Sequence, residues 1–199
     1  MNHGEVISPT RDKILETALK LFSEKGYLGA TTREIARDAG VAEITLFRHF
    51  PSKEKLFEEV LSMYSFLPVL RGLLPEITKM PYKKALVLIA ERFLETLESR
   101  KEMIQIIHSE VRRYPEKIHK IYHGFIEEML RTLASYFDEL HRKGVVREFD
   151  TENGARAFFG MFFSYFNTRE IHLFRKYGKI DSEKVVRDFI DIFIRGTAK

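Results

Sequence analysis

The chain has 199 residues, no cysteine, seven histidines and a formal net charge of +4, with 44% hydrophobic and 31% charged residues. That length holds one small and one medium domain or a single helical body, and the lack of cysteine excludes a disulfide framework and any Cys-based metal or redox site. The opening MNHGEVISPT has no apolar run of signal-peptide type, and the most apolar stretch, ARAFFGMFFSYF at 155–166, falls far short of the ~20 residues needed to span a bilayer, so the protein is expected to be soluble and cytoplasmic, with no membrane partner.

The first element is SPTRDKILETALKLFSEKGY, where Ile14, Leu15, Ala18, Leu21 and Phe22 form a helical stripe that Gly26 ends. The next stretch, TTREIARDAGVAEITLFRHFPSKEKL at 31–56, packs two very short helical patterns around one glycine. Thr31, with Glu34 three places on, has capping-box spacing. Ile35, Ala36 and Ala39 are the apolar positions, and Gly40 ends the pattern because positive φ costs glycine almost nothing. The second pattern carries Ile44, Leu46, Phe47 and Phe50, leaving Thr45, Arg48 and His49 for another face. It is only about 10 Å long, too short to hold itself together in isolation. Ala36 admits a close crossing, Val41 plugs the turn and Leu46 points back into the pair, which is the packing logic of a helix-turn-helix. A helix of that length on a rigid partner suits a DNA major groove about 12 Å wide. Two ordinary short core helices are the plainer alternative, but exposed Thr45, Arg48 and His49 have no evident use in a core. Charge gives no support at the level of the whole region: residues 1–60 carry nine Lys and Arg against ten Asp and Glu. DNA binding would rest on where Arg33, Arg48, His49 and Lys53 point.

Beyond that stretch the patterns predict helices at 52–67, 81–99, 102–112, 115–143, 151–176 and 182–196, and nothing alternates long enough to be a strand. The helix from 115 has a sustained core face of Ile118, Ile121, Tyr122, Phe125, Met129, Leu133, Tyr136 and Leu140. Residues 155–166 are apolar nearly all round and should be buried on more than one side. Glu116, His119, His123 and Glu127 line one face, and two His at i, i+4 can chelate a metal. That face lies beside the apolar stripe, where a solvated pair is the expectation, so no metal or cofactor is assigned. His108 and Glu110, two apart, face differently. With no phosphate loop and no Ser/His/Asp trio, no catalytic residue is assigned and the chain is not read as an enzyme.

Residues 10–61, through TRDKIL, LFSEKGY, ATTREIARDAGV and TLFRHFPSKEKL at fixed spacing, closely resemble the DNA-binding region of TetR-type transcriptional regulators (TetR/AcrR type). The resemblance implies an all-α fold. A three-helix helix-turn-helix domain over 1–52 would be joined by a linking helix to a helical ligand-binding and dimerisation domain over 53–199. Thr31 and Thr32 would set a hydroxyl and amide groups against a phosphate, with Arg33 beside them, and Glu43, Ile44 and Thr45 would start the recognition helix that reaches base edges. Phe47 stands where a phosphate-touching tyrosine is usual, so only packing can remain. His49 and Lys53 match phosphate contacts, and Arg48 shares their side. Ala42 replaces the usual serine cap and Glu43 a residue that is often lysine; Glu43 could accept from cytosine N4 or point aside.

The same resemblance implies an effector pocket among Met63, Phe66, Ile106, Tyr122, Phe125, Phe162 and Phe166, with the helix from Ser52 to Leu67 as an unbroken rod between the two ends. The last two long helices would pair with their twofold copies, with Phe158, Tyr165, Phe189 and Phe193 at the dimer interface. The implied function is a ligand-responsive regulator, most simply a repressor, that binds a palindromic double-stranded operator as a homodimer. A largely apolar small molecule would release it. The rival is an all-helical enzyme or protein-interaction module that uses the helix-turn-helix only as scaffold.

Overall fold

The computed structural model describes residues 9–169 and 181–199. Among them the chain forms α1 (Pro9–Gly29), α2 (Thr32–Asp38), α3 (Glu43–His49), α4 (Lys53–Tyr64), α5 (Phe66–Ile77), α6 (Tyr82–Ser99), α7 (Lys101–Glu110), α8 (Glu116–Arg142), α9 (Thr151–Asn167) and α10 (Ser182–Thr197). One 3-10 turn covers Val111–Arg113, and the only bridge among the described residues is an isolated antiparallel one between Val146 and Ala198. The all-α expectation holds. The predicted helix over 151–176 begins as expected at Thr151; residues 170–176 of it lie outside the described residues.

Packing gathers the helices into two compact units, and these do not divide at residues 52 and 53. Of the described residues, one unit holds 9–64 with Glu102–His123, the other Ser65–Lys101 with 124–169 and 181–199. The reason is where α4 buries its apolar side. Leu56, Phe57, Val60 and Leu61 enter the same core as Ile14, Leu15, Ala18 and Phe22 of α1 and Ile35, Ala36 and Leu46 of α2 and α3. Met103, Ile107, Tyr114 and Ile118 complete that core from α7, the 3-10 turn's end and α8. Phe22 meets Phe57 edge-on at 5.3 Å and Tyr27 lies 5.0 Å from Phe57. Each such buried side chain contributes about 1.5–3 kcal/mol, which is how helices of seven residues like α2 and α3 stay folded.

The rod expected from Ser52 to Leu67 is two helices. Ser65 adopts extended backbone (φ −87°, ψ −178°), and its hydroxyl accepts from the Leu67 amide, capping α5. Residues 68–77, which fall between the helices predicted at 52–67 and 81–99 and contain Pro68, Gly72 and Pro75, are nevertheless helical. Pro68 sits in the first turn, where its missing N–H is not needed, and burial of Phe66, Leu67, Leu70 and Ile77 outweighs the poor propensity. The break also matters for the apolar stretch Lys53–Ile77, which has the total length of a bilayer span but consists of two twelve-residue helices, each too short to cross.

The second unit is built on aromatic packing. Phe66, Phe93 and Phe159 form one cluster, with centroids 4.7 to 5.8 Å apart. Phe158, Phe162 and Phe193 continue it. At its end the Tyr82 hydroxyl meets the Thr197 hydroxyl at 2.8 Å, and the Arg147 amide donates to the Thr197 carbonyl. Residues 155–166 are not buried all round: Phe158, Phe159, Phe162, Tyr165 and Phe166 are buried, whereas Ala157, Gly160 and Ser164 are exposed.

Candidate nucleic-acid interface

Helix α2 starts with the capping box expected of its sequence. Thr31 accepts from the Glu34 amide at 3.2 Å, and the Glu34 carboxylate takes the Thr31 amide at 3.2 Å and its hydroxyl at 3.0 Å. Lys25 adds an ion pair to Glu34 at 3.0 Å, and these hydrogen bonds, Lys25's first, hold the carboxyl below its ordinary pKa. After Ala39 the chain turns at Gly40, whose φ of +68° is the left-handed conformation that glycine accepts freely. Ala42 then caps α3 without any side-chain bond.

Glu43 neither points free nor stays idle. Thr32 Oγ1 donates to Glu43 Oε1 at 2.8 Å, and Arg33 Nε lies 3.8 Å from Oε2. The carboxylate therefore ties the first turn of α2 to the first turn of α3. In the free chain the hydroxyls of Thr31 and Thr32 both donate to carboxylates, so a phosphate contact through either hydroxyl would displace one of those bonds. The outward side of α3 is mixed: Ile44 is 72% exposed and Phe47 41%. Arg48 is also exposed, Thr45 and His49 are half-buried, and Leu46 is fully buried against the first core.

Lys53, in the first turn of α4, is half-buried, with its ammonium 4.4 Å from the centre of the Tyr27 ring. Burial lowers its pKa against the opposing pull of Glu54 and Glu110. This cluster contains a residue that the sequence offers only as a partner for His108, in which role it is set aside. Glu110 is 8% exposed and accepts from the Tyr114 hydroxyl at 3.2 Å. Its carboxylate occupies the space that a side chain at Gly26 would need, and Gly26 itself has φ +74°. Burial, with the Glu110 charge next, pushes the Tyr114 phenol well above its usual range. A signal was present: Met103, Ile107 and Glu110 run i, i+4, i+7, which puts a carboxylate on the apolar face of α7.

The other expected sites fare unevenly. Of the effector-lining set, Met63, Ile106 and Tyr122 belong to the first unit and Phe66, Phe125, Phe162 and Phe166 to the second. Phe66, Phe162 and Phe166 are buried, Phe125 is half-buried and Met63 is exposed. Of the expected dimer residues, Phe158, Tyr165 and Phe193 are buried within their own unit, where Phe158 packs on Phe162 at 5.2 Å and on Phe193 at 5.3 Å. They leave little surface to offer a second chain. Phe189 is half-buried, and the exposed apolar residue of α10 is instead Ile192, at 62%. On the His-bearing face of α8, Glu116 pairs with Lys120 and Glu127 with Arg131, and the His119 and His123 rings stack 6.2 Å apart.

Comparison with known proteins gives this geometry its context. Residues 14–60 match the family described as bacterial regulatory proteins, tetR family, and residues 84–196 match the AefR-like transcriptional repressor C-terminal domain. A Bacillus subtilis relative, the uncharacterised HTH-type transcriptional regulator YvkB, is 33% identical over 188 residues, covering 94% of this chain and 97% of its own. The fold is that of a Mesorhizobium loti protein assigned to the TetR-family regulators (TM-score 0.77, 24% identity, 96% of this chain and 97% of that one). It is also that of the B. subtilis regulator FadR, solved with stearoyl-CoA (TM-score 0.74, 18% identity, 93% and 98%). With a helix-turn-helix match at one end, a repressor-type helical domain at the other and a relative alike over nearly its whole length, the chain belongs to the TetR family of bacterial transcriptional regulators.

Proposed function

We propose that this regulator is a cytoplasmic repressor that binds a palindromic operator as a homodimer and acts by binding rather than by catalysis. The observation that carries the reading is the outward side of α3: Ile44, Phe47 and Arg48 are exposed on a seven-residue helix whose inner side is locked by Leu46 and whose first turn is tied to α2 through Glu43 and Thr32. A rigid, short, outward helix is the device by which a helix-turn-helix enters a major groove. One such helix per chain reads few bases, so a twofold partner is needed to double the contacts. The partner's surface is assigned to Val185, Phe189, Ile192 and Gly196, an i, i+4, i+7, i+11 line on α10, together with the small exposed residues Ala157, Gly160 and Ser164 of α9, which let another helix approach closely. The effector is a largely apolar molecule that lodges in the second unit, a reading supported by that unit's content of inward phenylalanines, Phe66, Phe162 and Phe166 buried and Phe125 half-buried.

The test is a mobility-shift titration of the full chain on the DNA immediately upstream of its own coding sequence, with the mass of the free protein measured by light scattering. A retarded band competed by the same unlabelled DNA and not by random DNA, from a protein of dimer mass, is the expected outcome. Ile192→Glu should yield monomer and weaken the complex. Absence of any sequence-specific complex would overturn the regulator reading, and a dimer untouched by Ile192→Glu would overturn the assigned surface.

A further inference from the structure

The most exposed large apolar side chain among the described residues is Ile44, 72% accessible in the first turn of α3. An isolated exposed isoleucine carries no message by itself; the side chains before it and one turn on narrow what it can meet. On one side Ala42 is exposed and offers only a methyl group; its position makes no side-chain hydrogen bond. On the other, Glu43 has one carboxylate oxygen taken by Thr32 at 2.8 Å and the other within 3.8 Å of Arg33. One turn on, at i+3, stands Phe47, 41% exposed and also apolar. The first turn of the helix thus presents an exposed isoleucine side chain between the methyl group of Ala42 and a carboxylate already engaged by Thr32 and Arg33.

In the major groove every base edge carries hydrogen-bonding atoms, and the one apolar group on offer is the C5-methyl of thymine. Against guanine, adenine or cytosine, Ile44 would strip water from a polar edge and return no hydrogen bond, which is unfavourable. Against thymine it buries methyl on methyl. We infer that Ile44 is a specificity-determining residue that selects a thymine methyl group at one position in each operator half-site, and that Glu43 is a positioning residue which orients α3 and reads no base. This rests on the DNA-binding reading above and gives it a chemical content: the half-site is chosen in its first contacts by an apolar group, with Thr45 and Arg48 left to supply the polar ones.

Replacing thymine by deoxyuridine deletes that methyl and keeps every hydrogen-bonding atom, which makes the experiment selective. The full chain is used to enrich binding sites from a random-sequence duplex library, and each thymine of the recovered site is then changed to deoxyuridine, symmetrically in both half-sites. Wild type should show one position per half-site where loss of the methyl weakens binding about fourfold, about 15-fold with both half-sites changed, as expected for one buried methyl each. Ile44→Ala should bind the thymine and deoxyuridine duplexes alike, Ile44→Val should still discriminate, and Glu43→Gln should leave the base preferences unchanged. If wild type binds every deoxyuridine duplex as well as the parent, or if Ile44→Ala keeps the discrimination and Phe47→Ala loses it, the assignment to Ile44 is overturned while DNA recognition stands. Failure of the library to enrich any sequence would overturn the regulator reading, and this assignment with it.

Discussion

Replacing Gly26 by alanine probes how Glu110 closes the first unit. At φ 74° and ψ 173°, Gly26 occupies a region that essentially only glycine enters, and any side chain there costs about 1–3 kcal/mol through the backbone alone. The added Cβ would overlap the Glu110 carboxylate. That carboxylate belongs to a buried residue and cannot simply swing into solvent. To make room it must give up the hydrogen bond from Tyr114, which leaves a buried polar pair unmatched for another about 1–3 kcal/mol. The two effects together put Gly26→Ala about 2–6 kcal/mol below wild type, a large share of the ~5–15 kcal/mol that holds a typical protein folded. In a Glu110→Ala background only the backbone part should survive, so the two substitutions should couple by about 1–3 kcal/mol. Urea titrations of the four chains of that cycle, followed by far-UV circular dichroism, measure it. If Gly26→Ala cost the same with and without Glu110, the carboxylate would not be what fills the space at Gly26, and the reasoning would fail.

Lys53→Ala should weaken binding to all DNA sequences alike and flatten the salt dependence by about one unit, since an ammonium held on Tyr27 at the start of α4 can meet a phosphate but reads no base; a change in base preference would contradict this. For alkaline stability the Tyr82 phenol is informative, because burial pushes its pKa from 10 up to about 12 despite the opposing hydrogen bond with Thr197. A folded-state value above the unfolded one means that the contribution is present in full below pH 10 and is lost as the pH rises from 10 toward about 12. Tyr82→Phe should therefore lose less stability than wild type across that window, and equal losses in paired urea titrations on either side of it would refute the point.

The elements with local signatures were legible in the order of the amino acids alone. The capping box of α2, the stop at Gly40, the stripe of α1 and the long face of α8 each follow from side chains within a turn or two of one another. Helix type and approximate ends are decided at that range. The general reading as a helix-turn-helix regulator was equally legible, because it rests on several local motifs at fixed spacing. Less was legible of the candidate sites. Glu43 could be seen near the start of α3, but whether its carboxylate faced the groove or the protein depended on Thr32, eleven residues away on another helix.

What the tertiary structure alone decided has a common physical cause, namely that a side chain's role depends on what lies across from it. A proline-interrupted stretch became α5 because Leu70 and Ile77 found a core to enter. The expected rod broke at Ser65 because its backbone turned extended and its hydroxyl found the Leu67 amide. Periodicity placed apolar residues on both α9 and α10 without saying which were already satisfied, and the folded chain buries Phe158, Tyr165 and Phe193 while leaving Ile192 in solvent. Glu110, a charged residue on the apolar face of α7, is buried because Gly26 lacks a side chain and Tyr114 supplies a hydrogen bond, a match between three positions that proximity along the chain does not encode.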